Sequence, residues 1–340
     1  MKVLFIGGTG NISTAVSRLA IEKGIDLYHL NRGTRKVEIK GVKTIHGDIS
    51  NEQEVSGALE KHQWDAVVNW IAFKPADIER DFRLFHKKTK QYFFISSASV
   101  YQKPVFHPVI TESTPLKNPY WDYSRDKIAC EEKCNQLYRE HDFPVVIVRP
   151  SLTYDTVIPV AIGSWNDYTI VDRMKKGKPI IVHGDGTSLW TVTHADDFAK
   201  GFTGLLGHQQ VIGHAFHITS DELLTWNQIY EALANAAGTE ANMIHIPTDF
   251  ICKEAKKIDW IWMGGNFMEG NLKGDKAVSV IFDNTKIKTF VPEFKATIPF
   301  SEGIKRTLQW FEADKSRMVV HADYNRFMDT IIAAYEKALK

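Results

Sequence analysis

Short apolar runs rich in β-branched and aromatic residues alternate with helical patterns through the first half of the chain. The predicted strands are Val3–Ile6, Leu27–Leu30, Lys43–His46, Ala66–Ile71, Tyr92–Ser96 and Val145–Val148. The predicted helices lie near Thr14–Lys23, Glu52–Lys61, Ala76–Lys87 and Tyr123–His141. Nearly continuous apolar strands that alternate with helices are typical of a parallel sheet covered on both faces. The sequence therefore predicts an α/β fold built on a doubly wound parallel sheet.

The alternation loosens after Pro150. The segment "KPIIVHGDGTSLWTV" predicts a hairpin around Gly184-Asp185-Gly186, followed by a helix that begins near Asp196-Asp197. The chain from Leu223 onward is mostly helical, with an aromatic, glycine-rich insert, "DWIWMGGNFMEGNLKGD". We predict one domain from residues 1–155 and 187–219, whose chain returns to the sheet once. Residues 156–186 and 220–340 are predicted to form a smaller, mixed, mostly helical domain.

Charge and cysteine content narrow the classes of partner. The formal net charge is +1, which gives no reason to expect nucleic acid or a membrane surface as the main partner. The cysteine count is odd, at three, and Cys130 and Cys134 lie four residues apart in one predicted helix. Reduced thiols and a cytoplasmic location are therefore expected. No Cys/His spacing resembles a zinc site, and no metal is predicted.

A glycine-rich turn directly follows the first predicted strand. In "VLFIGGTGNIS", Gly7, Gly10 and Ser13 form a G-x-x-G-x-x-S pattern. Such glycines allow backbone amides to approach a pyrophosphate at a helix N-terminus, where the helix dipole favours negative charge. The alternative is a tight strand-to-helix turn without a ligand. Its place after the first strand of an α/β series favours dinucleotide binding.

The end of the second predicted strand bears on the choice of dinucleotide. NAD-selective folds usually carry an acidic residue there, but this chain has Asn31, followed by Arg32 and Arg35. A guanidinium can bind a 2′-phosphate through paired hydrogen bonds. NADP is therefore favoured over NAD. If both arginines are ordinary loop residues, NAD remains equally possible.

Further candidate cofactor residues follow the third and fourth predicted strands. Asp48 in "GDIS" could accept a hydrogen bond from the adenine amino group, and "NWIAF" places Asn69–Phe73, with Ile71, Ala72 and Phe73 as candidate contacts, along the cofactor. In open α/β sheets, ligands gather at the carboxyl ends of successive strands.

Three residues form a candidate catalytic group. Tyr123 and Lys127 are one helical turn apart and share a helix face, while Ser97 follows the fifth predicted strand. A nearby ammonium and the positive ring of an oxidised nicotinamide should lower the pKa of the phenol toward neutrality. Tyr123 could then exchange a proton with a substrate oxygen that Ser97 holds. The alternative is an exposed aromatic–cation pair.

The chain resembles the short-chain dehydrogenase/reductase superfamily in its extended, NAD-dependent epimerase/dehydratase branch. The matching segments include "GGTGNIS", "GDIS", "SSASVY", "YSRDK", "VRPS", "GDGTSLWTVTHADDFAKG" and "PFSEGIKRTLQWF". The resemblance implies a Rossmann domain, a Ser97–Tyr123–Lys127 triad and a homodimer. The family's cofactor contacts correspond to Gly7, Thr9, Gly10, Asn11, Ile12, Asn31, Arg32, Asp48, Ile49, Ala72, Ser96 and Pro150.

Two departures from the family pattern concern the substrate. Ala98 and Ser99 stand where sugar-nucleotide 4,6-dehydratases carry an Asp-Glu pair, which argues against that elimination. Trp190 stands where many sugar-nucleotide epimerases carry a diphosphate-binding arginine, and an indole cannot neutralise a diphosphate. The predicted substrate residues are Ser99, Trp121, Tyr154 and Trp190, with Trp165, Trp260 and Trp262 as further aromatic candidates. The glycine-rich insert is either a mobile lid or a buried turn.

These observations favour an NAD(P)-dependent oxidoreductase that acts on a secondary alcohol or ketone of a small polyol, sugar-like or aromatic substrate. An epimerase that uses the same triad is the first alternative. A non-catalytic dinucleotide-binding sensor or RNA-associated protein is the second, because "NRG" after the second strand is similar to such atypical relatives.

Overall fold

A computed structural model describes residues 1–34 and 37–340 of the chain. The strands are β1 (Lys2–Ile6), β2 (Asp26–Asn31), β3 (Lys43–His46), β4 (Ala66–Asn69), β5 (Tyr92–Ile95), β6 (Val109–Ile110), β7 (Val145–Pro150), β8 (Leu152–Tyr154), β9 (Ile180–His183), β10 (Leu189–Trp190), β11 (Val192–His194), β12 (Ala215–Ile218), β13 (Leu224–Thr225), β14 (Met243–Ile246) and β15 (Ile281–Phe282).

The helices are α1 (Asn11–Glu22), α2 (Glu52–Leu59), α3 (Pro75–Phe85), α4 (Asp122–His141), α5 (Thr169–Lys175), α6 (Ala195–Leu205), α7 (Trp226–Ala236), α8 (Thr248–Ala255), α9 (Phe267–Asn271), α10 (Thr285–Phe290), α11 (Phe300–Glu312) and α12 (Ala322–Ala338). A π-helical turn, Leu272–Lys276, continues α9. None of the helices in the described ranges is long and apolar enough to cross a membrane.

A seven-stranded parallel sheet has the order β12-β7-β5-β4-β1-β2-β3. Successive residues of β1 point to opposite faces, so Val3 and Phe5 pack in one layer and Leu4 and Ile6 in the other. Helices α1 and α6 cover the first layer, and α2, α3 and α4 cover the second. The predicted α/β fold with a doubly wound parallel sheet is confirmed.

The chain returns to this sheet after a long excursion. Strand β12 pairs in parallel with β7, with Ala215 opposite Ile147 and Ile218 opposite Pro150. The return lies within the predicted 187–219 segment, and α6 begins next to the acidic pair, as predicted. The limits of the two predicted domains stay a prediction.

The predicted hairpin around Gly184-Asp185-Gly186 is wrong. Strand β9 instead pairs in parallel with β14, and β10 pairs antiparallel with β13. Gly184 and Gly186 both have positive φ, at 61° and 71°, which glycine adopts at little steric cost. Periodicity finds such strands but does not identify their partners.

Much of the glycine-rich insert is packed and helical, since it contains α9 and most of the π-helical turn, although Trp262 is 56% exposed. Met263, Met268 and Leu272 are at most 1% exposed, and they join the core that α5, α7, α8, α11 and α12 enclose. Of the two alternatives for this insert, the structure favours the packed one. The three cysteines are free and buried.

Candidate functional site

A cavity of about 1740 Å³ extends from the turn after β1 to the start of α4 and the π-helical turn. The predicted site residues that line it are Gly7, Thr9, Gly10, Asn11, Ile12, Asn31, Arg32, Asp48, Ile49, Ile71, Phe73, Ser96, Ser97, Ser99, Trp121, Tyr123, Lys127, Pro150 and Trp190. Ala72 and Tyr154 are not part of this lining, and Arg35 lies outside the described residues. One continuous space thus joins the predicted cofactor turn to the predicted catalytic group.

The glycine-rich turn is shaped by close contacts and by one buried hydroxyl. Gly7 has φ +81°, and a Cβ at Gly8 would lie 2.4 Å from the His29 ring. The Ser13 hydroxyl accepts a hydrogen bond from the Gly10 amide at 2.8 Å and donates one to the Gly7 carbonyl at 3.1 Å. Ser13 therefore closes the turn, a role that its small size alone did not reveal.

The start of α1 suits an anionic ligand. No acidic side chain lies in its first turn, so the amides and the helix dipole keep their positive character. Asn11 donates a hydrogen bond to the Thr153 carbonyl at 2.9 Å, and its side-chain oxygen is buried without a protein partner in the described chain. The amides at the start of α1 fit the dinucleotide phosphates that the sequence predicts here, whereas the Asn11 oxygen is an acceptor and needs a donor such as a hydroxyl.

The adenosine end of the cavity brings Arg32 and Asp48 together. The Arg32 guanidinium lies 3.7 Å from an Asp48 carboxylate oxygen, and both side chains are exposed. Hydrogen bonds from Ser50 lower the pKa of Asp48, which keeps it ionised. A 2′-phosphate on the cofactor would have to share Arg32 with this carboxylate.

Lys127 is held by two backbone carbonyls. Its ammonium donates to the Ala72 oxygen at 2.7 Å and to the Ile95 oxygen at 2.8 Å, and it lies 4.5 Å from the Phe73 ring centre. Ala72 is fully buried and its carbonyl orients the lysine, while its predicted contact with the cofactor stays a prediction. Two of the three ammonium donors are used this way within the described chain.

A chain of three hydroxyls reaches the cavity from the end of β5. Ser124 donates to the Ser99 hydroxyl at 2.7 Å, and the Ser99 and Ser97 hydroxyls are 2.9 Å apart. Ser97 also accepts from the Ser99 amide at 3.2 Å. The Ser97 side chain is therefore fixed in place, as a group that orients a reacting oxygen must be.

In the protein alone the pKa of the Tyr123 phenol is raised, and the lowering that the sequence predicts beside an oxidised nicotinamide stays a prediction. Burial raises the pKa of Tyr123 to about 12, and its hydrogen bond with Ser97 opposes the rise. The Lys127 ammonium is 5.8 Å from the phenol ring centre and is directed at two carbonyls, while burial lowers its own pKa to about 8. The lysine therefore does not acidify the phenol in the protein alone.

Behind the cavity, a buried ion pair that the sequence analysis missed joins three elements. Arg149 of β7 donates to both carboxylate oxygens of Glu131 in α4, at 2.9 and 2.6 Å. One of these oxygens also accepts from Ser96 at 2.5 Å. Glu131 lies four residues after Lys127 on the same helix face, and this spacing was the signal available.

Tryptophans and one ion pair line the end of the cavity beyond Tyr123. The Trp121 ring centre lies 5.1 Å from that of Tyr123, and Trp165 and Trp190 contribute to the same wall. Asp275 and Lys276 complete it, with the ammonium 2.9 Å from the carboxylate. Asp275 ends the glycine-rich insert and Lys276 follows it, and the sequence alone did not predict either as a site residue.

Three predicted aromatic candidates lie away from the cavity. Tyr154 is fully buried at the end of β8 beside His194 and Phe300, where α11 passes so closely that a Cβ at Gly303 would overlap the phenol oxygen. Its assignment to the substrate is therefore wrong. Trp260 packs under Arg326, and Trp262 donates to Tyr324.

Comparisons with known proteins agree with this geometry. The family model described as "NAD dependent epimerase/dehydratase family" matches residues 3–219. The 2′-dehydrokanamycin reductase of Streptomyces kanamyceticus is 22% identical over 262 residues, which cover 77% of this chain and 74% of the relative. The chloroplast stem-loop binding protein of 41 kDa b of Arabidopsis thaliana is 25% identical over 265 residues, which cover 73% and 67%.

A solved structure shows the same fold. The UDP-glucuronic acid 4-epimerase from Bacillus cereus, in complex with NAD, aligns with a TM-score of 0.70 at 17% identity, over 92% of this chain and 99% of that one. The family match spans the sheet and its strand-end loops, and the resemblance noted in the sequence is thereby confirmed. The chain belongs to the NAD-dependent epimerase/dehydratase family and is an enzyme of the extended short-chain dehydrogenase/reductase type.

Proposed function

We propose that this enzyme transfers hydride between a nicotinamide and a secondary alcohol or ketone carbon of a small polyol, sugar-like or aromatic substrate. The observation that carries the proposal is the convergence of Ser97, Tyr123 and Lys127 on the cavity that begins at the glycine-rich turn. The name of the 2′-dehydrokanamycin reductase, which describes that relative as a reductase, supports it.

Each residue of the group has a distinct task in this proposal. A bound nicotinamide would supply or accept the hydride. Tyr123 transfers the proton to or from the substrate oxygen, and Ser97 donates a hydrogen bond that orients that oxygen. The remaining ammonium donor of Lys127 holds ribose hydroxyls of the cofactor, while the Ala72 and Ile95 carbonyls fix its direction.

The pKa of Tyr123 should depend on the redox state of the cofactor. The pKa is raised to about 12 by burial, so the free protein keeps a neutral phenol at ordinary pH. The positive ring of an oxidised nicotinamide favours the phenolate and should lower this pKa, whereas the uncharged reduced ring should not.

This expectation can be measured as the difference in phenolate absorbance between the wild-type protein and Tyr123→Phe through the alkaline range. With oxidised cofactor the tyrosine should titrate at lower pH than in the free protein. Equal titration curves with oxidised and with reduced cofactor would contradict it.

For the cofactor itself, we propose NADP over NAD, held by the residues that line the cavity. Support comes from Asn31 in place of an acidic residue at the end of β2 and from the Arg32 guanidinium beside it. Arg32 is 65% exposed and only loosely paired with Asp48, so a phosphate can approach it. The family's description names NAD, so a preference for NADP would distinguish this chain from that description.

The experiment for the proposed function combines binding with turnover. Purified enzyme is titrated with NADPH and NADH by fluorescence, and then screened for loss of reduced-nicotinamide absorbance with ketones of polyols, amino sugars and aryl alcohols. We expect NADPH to bind more tightly, and Arg32→Ala to remove that preference. A protein that binds neither nucleotide and turns over none of the ketones would overturn the proposal.

An epimerase that uses the same three residues is the alternative that the family description favours. It would retain its cofactor through purification and show no net change in nicotinamide absorbance. The replacement of the diphosphate-binding arginine by Trp190, which is only 2% exposed, weighs against a nucleotide-sugar substrate.

A sensor or RNA-associated role is the remaining alternative. The name of the Arabidopsis relative describes stem-loop binding by that protein. The net charge of +1 weighs against RNA contact in this chain, since such contact usually requires a basic surface. We propose a small-molecule substrate. We also propose a cytoplasmic location, which the free buried cysteines support. A homodimer is proposed from the family resemblance.

A further inference from the structure

Two charged side chains, Lys276 and Asp275, form a cluster at the substrate end of the cavity. Both line its wall, and Lys276 is 3% exposed. The Lys276 ammonium lies 2.9 Å from the Asp275 carboxylate.

The π-helical turn that carries Asp275 and Lys276 is fixed on two sides. The Lys276 carbonyl accepts hydrogen bonds from the Trp226 indole at 2.9 Å and from His183 at 3.2 Å. The Gly274 carbonyl accepts from Asn118 at 2.7 Å, in the loop just before Tyr123. Such π-helical turns are rare and occur frequently at functional sites.

The Lys276 ammonium has hydrogen-bond donors to spare. Its one side-chain hydrogen bond within the described residues goes to Asp275, so two of its three donors remain for a ligand. Burial lowers the pKa of the neighbouring His183 to about 4, so His183 is neutral at ordinary pH. Buried donors without acceptors are costly, and an anionic ligand group would supply the missing acceptors.

An unused hydrogen-bond donor lies in the same wall. The Trp190 indole nitrogen is buried and has no partner among the residues described, although the ring lines the cavity. The Lys276 ammonium lies 5.7 Å from the Trp121 ring centre and 5.5 Å from that of Trp165. An indole donor and an ammonium held between aromatic rings are both available to an acceptor-rich group.

We propose that Lys276, balanced by Asp275 and assisted by the Trp190 indole donor, forms a subsite for an anionic group on the substrate, either a carboxylate or a phosphate monoester. The subsite is close to the reaction centre, because Trp121 contacts both the ammonium and the Tyr123 ring. One sugar-sized molecule can therefore present its acidic group to Lys276 and its reacting carbon to Tyr123. This inference rests on the proposed function and names the substrate class for it.

The test measures binding to the cofactor-loaded enzyme by isothermal titration. The probes are D-glucuronate for a carboxylate, D-glucose 6-phosphate for a phosphate and D-glucose as the neutral reference. We expect at least one acidic probe to bind at least about tenfold more tightly than D-glucose. The probe that does so identifies the acidic group. Lys276→Met should remove that preference. Lys273→Met is the matched control, since Lys273 lies on the same turn but pairs with Asp249 outside the cavity lining, and it should keep the preference.

A second variant protects the test against loss of folding in Lys276→Met. Asp275→Asn removes the only carboxylate of the cluster with little change of shape, and it should strengthen binding of the preferred acidic probe severalfold. No preference for either acidic probe in the wild-type enzyme, or equal loss in the Lys273 and Lys276 variants, overturns the inference. Cofactor binding is recorded on the same samples, so failure of the subsite with intact nicotinamide binding is distinct from failure of the proposed function.

Discussion

Replacing Tyr123 with Phe should lower turnover by about 10²- to 10⁴-fold, while nicotinamide binding is retained. The change deletes the group that transfers the proton, and general acid–base catalysis contributes about that range of rate enhancement. The ring can keep its contacts with Trp121 and Phe73. Steady-state kinetics with the best ketone from the substrate screen, together with NADPH fluorescence titration, measure both effects.

Tyr120→Phe provides the matched control. Tyr120 lies in the same loop but is not among the cavity-lining residues, and its turnover should equal that of the wild-type enzyme. Turnover in Tyr123→Phe within a few-fold of wild type would contradict the assigned role. Loss of nicotinamide binding in this variant would instead show that the ring is needed to form the cofactor site.

Replacing Arg149 with Met should lower the free energy of unfolding by about 3–5 kcal/mol, the usual cost of leaving one partner of a buried ion pair uncompensated. Arg149 and Glu131 are 5% and 1% exposed, so water cannot replace the lost partner. Urea denaturation followed by circular dichroism measures the change.

Two controls test whether the loss of stability comes from the uncompensated buried charge. Arg83→Met removes one partner of the exposed pair with Glu52, where solvent screens the charges, and it should change stability little. The double variant Glu131→Met with Arg149→Met removes both buried charges and should recover much of the loss. If the single Arg149 variant is as stable as the double variant, the buried pair does not stabilise the fold as described.

The Arg149 variant should also affect catalysis. Glu131 accepts from Ser96, which precedes Ser97, and it shares α4 with Tyr123 and Lys127. The ion pair therefore fixes the strand end relative to the catalytic helix. In protein that remains folded, kcat should fall more than cofactor affinity, because misplaced catalytic groups lose orientation before they lose binding.

Much of the sheet could be predicted because its strands are buried on both faces and are therefore apolar along their whole length. The predicted strand Val145–Val148 lies within β7 for this reason, while Lys43–His46 matches β3 although that edge strand is mostly exposed. The position of Tyr123 and Lys127 on one face of α4 follows from helical periodicity alone. These features depend on residues that are close together in the chain, so they can be predicted from the sequence.

The features that could not be predicted depend on contacts between distant segments. The pairing of β9 with β14 joins residues far apart in the chain, and no periodicity identifies that partner. Tyr154 has the same aromatic character as a pocket residue, and only the close passage of α11 buries it. The pKa of Tyr123 rises because of burial that only the folded chain provides.

The position of β12 has a consequence for synthesis of the protein. Its neighbour β7 is translated well before Ala215–Ile218, so the nascent sheet has an open, apolar edge until that later segment leaves the ribosome. An unpaired parallel edge is a template for association with other chains. Premature termination between these two strands would therefore release a product prone to aggregation, whereas termination after Ile218 would release one whose central sheet has its full set of strands.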